Sequence, residues 1–188
     1  SSGEVVRFVV LGDGGTGDDN QKKVAAVVRD ICAQKGCDFA LYLGDNIYET
    51  GAMTAADPIF QTHFEDVYAE LNFPFHVALG NHDYGGQYLV IPGGSNAPGT
   101  VSEEKAQAQI AYSMTSDKWS MPSAYYTFQV GPVAFFALDS NSLALNEPLM
   151  RQLDEQQAWL DAEMNRSTAP WKVVFAHHPY ISNGEHGN

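Results

Sequence analysis

Residues 39–48 read FALYLGDNIY. The five apolar residues have the length and bulk of a buried strand, and Gly44 ends it. Asp45 stands just past the strand, and Tyr48 follows three residues later. A turn needs the glycine and can use the asparagine. It has no use for the phenol. The same ending recurs along the chain: VVRFVVLGD (5–13) stops at Gly12 and Asp13, FPFHVALGN (73–81) stops at Gly80 and Asn81, and WKVVFAH (171–177) delivers His177. The first of these, β-branched and apolar, reads as a central strand.

Between the strands the periodicity changes. From Asp18 to about Lys35, Val24, Val27, Val28 and Ile31 recur at spacings of three and four, and Gly36 stops the run. This is a helix between two strands, which predicts a parallel pair joined by a crossover. Asp57 to Ala69 predicts a second helix, with Asp57 as N-cap and Pro58 in the first turn. AYYTFQV (124–130) and PVAFFAL (132–138) flank Gly131 and predict a hairpin or a strand pair of a second sheet. Leu153 to Met164 predicts a helix with Trp159 and Leu160 inward. The glycine- and proline-rich stretch 85–100 predicts a long functional loop. The fold class is therefore α/β. In open α/β sheets ligands bind at the carboxyl ends of the strands, so four polar strand ends can converge on one spot.

At 188 residues the chain has the length of one domain, 1–188. Its formal charge of -13 argues against a nucleic-acid surface and against docking on anionic lipid. No run of about eighteen apolar residues is present to span a membrane. The opening SSGEVVRF lacks the charged and apolar regions of a signal peptide, as expected if there was none or if the form is a mature one. Cys32 and Cys37 flank the end of the first helix; a local disulfide and two buried thiols are both open readings. An acidic chain repels phosphate at long range. Any such substrate has to be held by something local and strongly positive.

Asp13, Asp45, Asn81 and His177 offer carboxylate, amide and imidazole donors and no thiolate. Such a set suits Fe, Mn or Zn. One carboxylate, most simply Asp45, can bridge two cations, and paired cations are a device for phosphoryl-ester hydrolysis. A single Gly-Asp after a strand is usually a tight turn or a helix cap. Four such ends in order, each after an apolar strand, are not explained by turns alone.

The motifs LGDGG, GDNIY, GNHD and the histidine of FAHHP resemble the metallophosphoesterase superfamily, and within it the purple acid phosphatases, especially the small tartrate-resistant type. The stretch QIAYSMTSDKWSMPSAYYTF (109–128) is also similar to that group, so the resemblance runs over nearly the whole chain. It implies a four-layer α/β/β/α sandwich and a binuclear centre of Fe(III) plus a divalent Fe, Zn or Mn ion. Carried over by motif, Asp13 and Tyr48 bind the ferric ion, Asp45 bridges, and Asn81 and His177 bind the divalent ion. The superfamily's first block usually carries a ligand histidine where this chain has Gly15, and Tyr48, a hard phenolate donor, takes its place. The resemblance makes His82 the substrate-orienting histidine, and His186, in GEHGN, the group that helps bind phosphate or protonates the leaving alkoxide. The implied activity is hydrolysis of phosphomonoesters by direct attack of a metal-bound hydroxide. Rival readings are a Mn- or Zn-dependent phosphodiesterase and a noncatalytic module on a degenerate phosphatase fold. Export, to a secreted or periplasmic location, is implied by resemblance alone.

One block of that family, a G-H-x-H whose two histidines serve one metal each, has no counterpart here. No histidine pair in the sequence has that spacing. A C-terminal part of a longer protein, or a separate chain, is expected to supply both ligands and to cover the second sheet. Of the other polar candidates, His178 is expected to face away from the ligand His177. His76 is expected in the core and His63 on a solvated face. Asp83 is expected to orient the GNHD loop by hydrogen bonding, and Asp139 to be structural.

Overall fold

A computed structural model describes residues 5–86, 102–141, 150–179, 181 and 183. The elements are β1 (Phe8–Leu11), α1 (Asp19–Lys35), β2 (Phe39–Leu43), β3 (Phe75–Ala78), α2 (Glu103–Tyr112), β4 (Trp119–Ser120), β5 (Tyr126–Val130), β6 (Val133–Ala137), α3 (Met150–Arg166) and β7 (Trp171–Phe175). The first four strands form a parallel sheet in the order β1-β2-β3-β4. The last three form a second sheet, β5-β6-β7, antiparallel at the hairpin and parallel between β6 and β7. The expected strand–helix–strand unit and the hairpin are both present.

Side-chain alternation along β2 explains the layering. Phe39 turns toward the second sheet, where it meets Phe128 and Phe135 edge-on. Tyr42 turns the other way, onto Phe64 and Tyr68 of the helical layer. A strand buried on both faces is apolar throughout, which is why FALYL carries no polar residue. Beyond the second sheet, Trp159, Leu160 and Met164 of α3 pack against Ala134 and Phe136 of β6. The result is helix, sheet, sheet, helix: the metallophosphoesterase sandwich.

Two expectations need correction. Asp18 caps α1 as anticipated, accepting from the Asn20 and Gln21 amides, but the helix is rotated away from the predicted face. Its buried residues are Gln21, Ala25 and Val28, while Val24, Val27 and Ile31 are about half exposed. The cause is Gln21. Its Oε1 accepts from the Gly17 amide at 2.6 Å and its Nε2 donates to the His63 carbonyl at 2.8 Å, so a polar residue sets the rotation. The second correction concerns β1, which lies at the edge of the described sheet rather than in its centre, with Val10 half exposed.

Smaller points follow. The helix predicted over 57–69 holds a wide π turn at Gln61–Glu65, closed by the Asp66 amide on the Gln61 carbonyl. Asp57 starts it, its Oδ1 accepting from the Ile59 amide. The short strand β4 had no counterpart in the sequence reading, since two residues show no period. Cys32 and Cys37 are joined in a disulfide across the end of α1, which settles the open choice. The predicted loop over 85–100 lies mostly outside the described residues.

Candidate metal centre

The parallel register places the ends of β1, β2 and β3 side by side, with Leu11 opposite Tyr42 and Leu43 opposite Ala78. Just past those ends, Asp13 (φ 55°) and Asp45 (φ 52°) are the two non-glycine residues with left-handed backbone among the described residues. Aspartate tolerates that region better than most residues, and its use at sites is a familiar form of local strain. The two loops are tied by backbone bonds: the Asp13 amide donates to Gly44, the Gly15 amide to Asp45, and the Tyr48 amide to Gly15. The phenol of Tyr48 thereby reaches both carboxylates, at 2.8 Å from Asp45 Oδ2 and 3.3 Å from Asp13 Oδ1. Burial and then the Asp45 and Asp13 carboxylates push this phenol above its ordinary pKa. A cation among the three would act in the opposite sense.

His177 arrives from the second sheet. Its Nδ1 lies 2.9 Å from the Leu43 carbonyl, which can only accept, so Nδ1 donates outward and Nε2 is the nitrogen turned into the site. Nε2 lies 3.2 Å from Asn81 Oδ1 and 3.5 Å from Asp45 Oδ1. The ligand atoms of Asp13, Asp45 and His177 all lie within 4.8 Å of one another. Carboxylate, amide-oxygen and imidazole atoms gathered this closely form a set that a cation satisfies. An outer carbonyl fixing the tautomer of an inner histidine is the usual support of a metal site. The donors present therefore fit hard metal ions, and the structure brings Asp13, Asp45, Tyr48, Asn81 and His177 together.

His82 sits on the rim. Its amide donates to Asp45 Oδ1 at 2.9 Å, its ring stands 4.5 Å from that of Tyr48, and its Nδ1 meets the Glu49 carbonyl at 2.6 Å. The ring is thus oriented with Nε2 3.9 Å from Asp45 Oδ2. His186 lies outside the described residues. His178 turns aside to Ser140 Oγ, 2.8 Å from its Nδ1. His76 is packed between rings, stacked on Phe128.

Asp83 is fully buried and accepts from five donors: the amides of Asn46, Ile47 and Gly80, and the side-chain amides of Asn46 and Gln109. It ties the loop after β2 to the loop after β3, as its place in GNHD led us to expect. Burial pushes its carboxyl up to about 7, against the donors that favour the ionised form. Gln109, on α2, was missed by sequence reasoning. A glutamine inside a helix carries no signal of its own, and only the fold brings it to Asp83.

This fold defines a phosphoesterase architecture, and its strand ends gather a donor set that could hold a metal ion. The chain belongs to the calcineurin-like phosphoesterase family, which matches residues 6–188. Within it, the chain is similar to tartrate-resistant acid phosphatase type 5 of Sus scrofa (33% identical) and of Mus musculus (34%), in each case along 97% of its own length. It is 28% identical to purple acid phosphatase 3 of Arabidopsis thaliana, again along 97% of this chain. It covers 56%, 58% and 50% of those relatives, so it spans about half of their length. Among solved structures, GAP50, described as the anchor in the inner membrane complex of Plasmodium, shares the fold with a TM-score of 0.75 at 23% identity. That match covers 97% of this chain and 58% of the other.

Proposed function

We propose that the protein hydrolyses phosphomonoesters at a binuclear centre, with Asp13 and Tyr48 on a ferric ion, Asp45 bridging, and Asn81 and His177 on a divalent Fe, Zn or Mn ion. The observation that carries the proposal is the convergence of the Asp13, Asp45, Tyr48, Asn81 and His177 side chains, with Nε2 of His177 turned inward. When bound, such an ion pair offsets phosphate charge and lowers the pKa of water. The chain's own residues supply the rest. Tyr48 contributes a hard phenolate, which favours a trivalent ion. His82 orients the substrate phosphate from the rim, and His186 assists departure of the alkoxide. A G-H-x-H segment, in cis or from a separate chain, completes the ligand set with one histidine for each ion. The Cys32–Cys37 disulfide supports an oxidising, extracytoplasmic setting.

The test is spectroscopic. Iron-loaded protein is expected to show a visible Tyr-to-Fe(III) band that disappears in Tyr48→Phe, together with hydrolysis of an aryl phosphate. Iron-loaded protein that stays colourless would overturn the ferric assignment.

A further inference from the structure

The candidate centre is divided between the two sheets. Asp13, Asp45, Tyr48 and Asn81 belong to the loops of the first sheet, and His177 ends a strand of the second. The gap between Asn81 and His177 is therefore an inter-sheet distance, and neither sheet's own ladder fixes it. We infer that the turn Asp139–Ser140–Asn141, just past β6, is a positioning element that fixes this distance, and with it the affinity for the second of two metal ions. The inference rests on the ligand assignment proposed above and adds residues that assignment does not use.

Three buried polar side chains make the bracket. Asp139 Oδ2 accepts from the Tyr84 hydroxyl at 2.5 Å, three residues after Asn81. Asp139 Oδ1 accepts from the amide and side chain of Asn141, and Asn141 Nδ2 also donates to the Leu79 carbonyl at 3.3 Å, two residues before Asn81. Asn81 is thus held from both sides. Ser140 Oγ accepts from the His178 amide at 3.0 Å and pairs with His178 Nδ1 at 2.8 Å, one residue past His177. From α3, Gln156 locks the turn itself, its Oε1 accepting from the Asp139 amide at 2.7 Å and its Nε2 donating to the Asp139 carbonyl at 3.0 Å. Asp139, Ser140, Asn141 and Gln156 are each at most 5% exposed. A hydroxyl or amide is buried at a cost unless it is bonded, and here the bonds that leave the bracket end on residues within three positions of two proposed ligands.

None of these bonds reaches Asp13, Asp45 or Tyr48. Their loops are tied to each other and to Asp83 instead. Asp83 also joins the Asn81 loop to the Asp45 loop, and His177 Nδ1 meets the Leu43 carbonyl. The bracket, however, is what links the Asn81 loop to the residue after His177, so damage to it should fall mainly on one ion. A residue that merely stabilised the sandwich would weaken both ions together.

The experiment is a calorimetric titration of the metal-depleted protein with Zn(II). The parent is expected to show two binding events. In Ser140→Ala one event weakens by about 10- to 100-fold, the range for loss of an outer support, while the other stays within about threefold of the parent. Ser140→Thr keeps the hydroxyl and is expected to restore the weakened event. Tyr48→Phe is the mirror case and weakens the other event. Gln156→Met, remote from every ligand, gives the Ser140→Ala pattern in milder form and serves if Ser140→Ala does not fold. Equal affinity of Ser140→Ala and parent for both ions overturns the inference while leaving the proposed centre standing. So does a matched loss of both events. A parent that carries its G-H-x-H segment and still binds fewer than two ions overturns the ligand assignment and the inference with it.

Discussion

A β-carbon placed on Gly15 would lie 2.0 Å from the Asn46 carbonyl oxygen and 2.5 Å from the Ile47 amide nitrogen. Backbone occupies the place where most of the superfamily carries a histidine side chain. The close approach is what lets the Gly15 carbonyl accept from the Tyr48 amide at 2.8 Å, so absence of the histidine and arrival of the phenol have one cause.

Gly15→Ala should therefore act on Tyr48. The 45–48 loop has to move, at a cost of about 1–3 kcal/mol for a forced overpacking. The Tyr-to-Fe(III) band should weaken or vanish. Gly15→His should be worse rather than a rescue. Thermal unfolding and visible absorption of the iron-loaded variants check both; an unchanged band in Gly15→Ala would remove the steric link.

Asp45→Asn and Asp13→Asn should separate shape from charge. Asparagine enters left-handed backbone about as readily as aspartate, so at exposed Asp13 stability is expected to stay within about 0.5 kcal/mol. Buried Asp45 accepts from the Tyr48 hydroxyl and the His82 amide, and there the loss of one acceptor adds about 1–3 kcal/mol. Activity toward an aryl phosphate should fall by about a hundredfold or more. The alanine versions add backbone strain of about 1 kcal/mol at these angles. Denaturant unfolding beside steady-state kinetics tells the two effects apart.

His76 gives a pH dependence. Burial lowers its pKa from 6.5 to about 4, and its Nδ1 has no hydrogen-bond partner among the described residues. Between those values the unfolded chain binds a proton that the folded chain refuses. This contribution to stability rises with pH and is lost as pH falls from about 6.5 toward 4. Asp83, whose pKa burial raises, contributes the opposite slope, so the comparison must be between parent and His76→Phe. The variant should lose less stability than the parent between pH 7 and 4.5 in urea unfolding. Identical losses would assign the acid effect to other groups.

Gln109→Leu should destabilise by about 1–3 kcal/mol, since Asp83 loses a donor and the Asn46 side chain an acceptor in a buried site. Gln109→Glu should be worse at neutral pH, because it sets a second carboxylate against Asp83, and should recover partly as pH falls. Melting temperatures of the two variants at pH 5 and 7.5 decide it.

Much of this architecture was legible before any coordinates. An apolar run that stops at glycine and is followed by a polar residue fixes both a strand and the end at which it presents chemistry, so Asp13, Asp45, Asn81 and His177 could be grouped from spacing alone. The helical period of α1 was equally plain, yet it did not tell which side turns inward. The valine stripe pointed one way, and the two hydrogen bonds of Gln21 turned the helix another. Gln109, Ser140 and Gln156 were invisible for a related reason. Each acts on a residue more than ten positions away, and a lone polar side chain in a helix or turn announces no partner. The state of Cys32 and Cys37 also depended on the geometry at the end of α1.

The left-handed backbone at Asp13 and Asp45 has an evolutionary consequence. The conformation narrows the acceptable replacements to a few, and one of them, asparagine, preserves the chain path while deleting the charge. A lineage released from selection for catalysis can drift through that replacement most easily at exposed Asp13. Shape can thus outlast chemistry in this architecture, and for any descendant the residue at the end of each of these two strands tells more about activity than the resemblance of the whole.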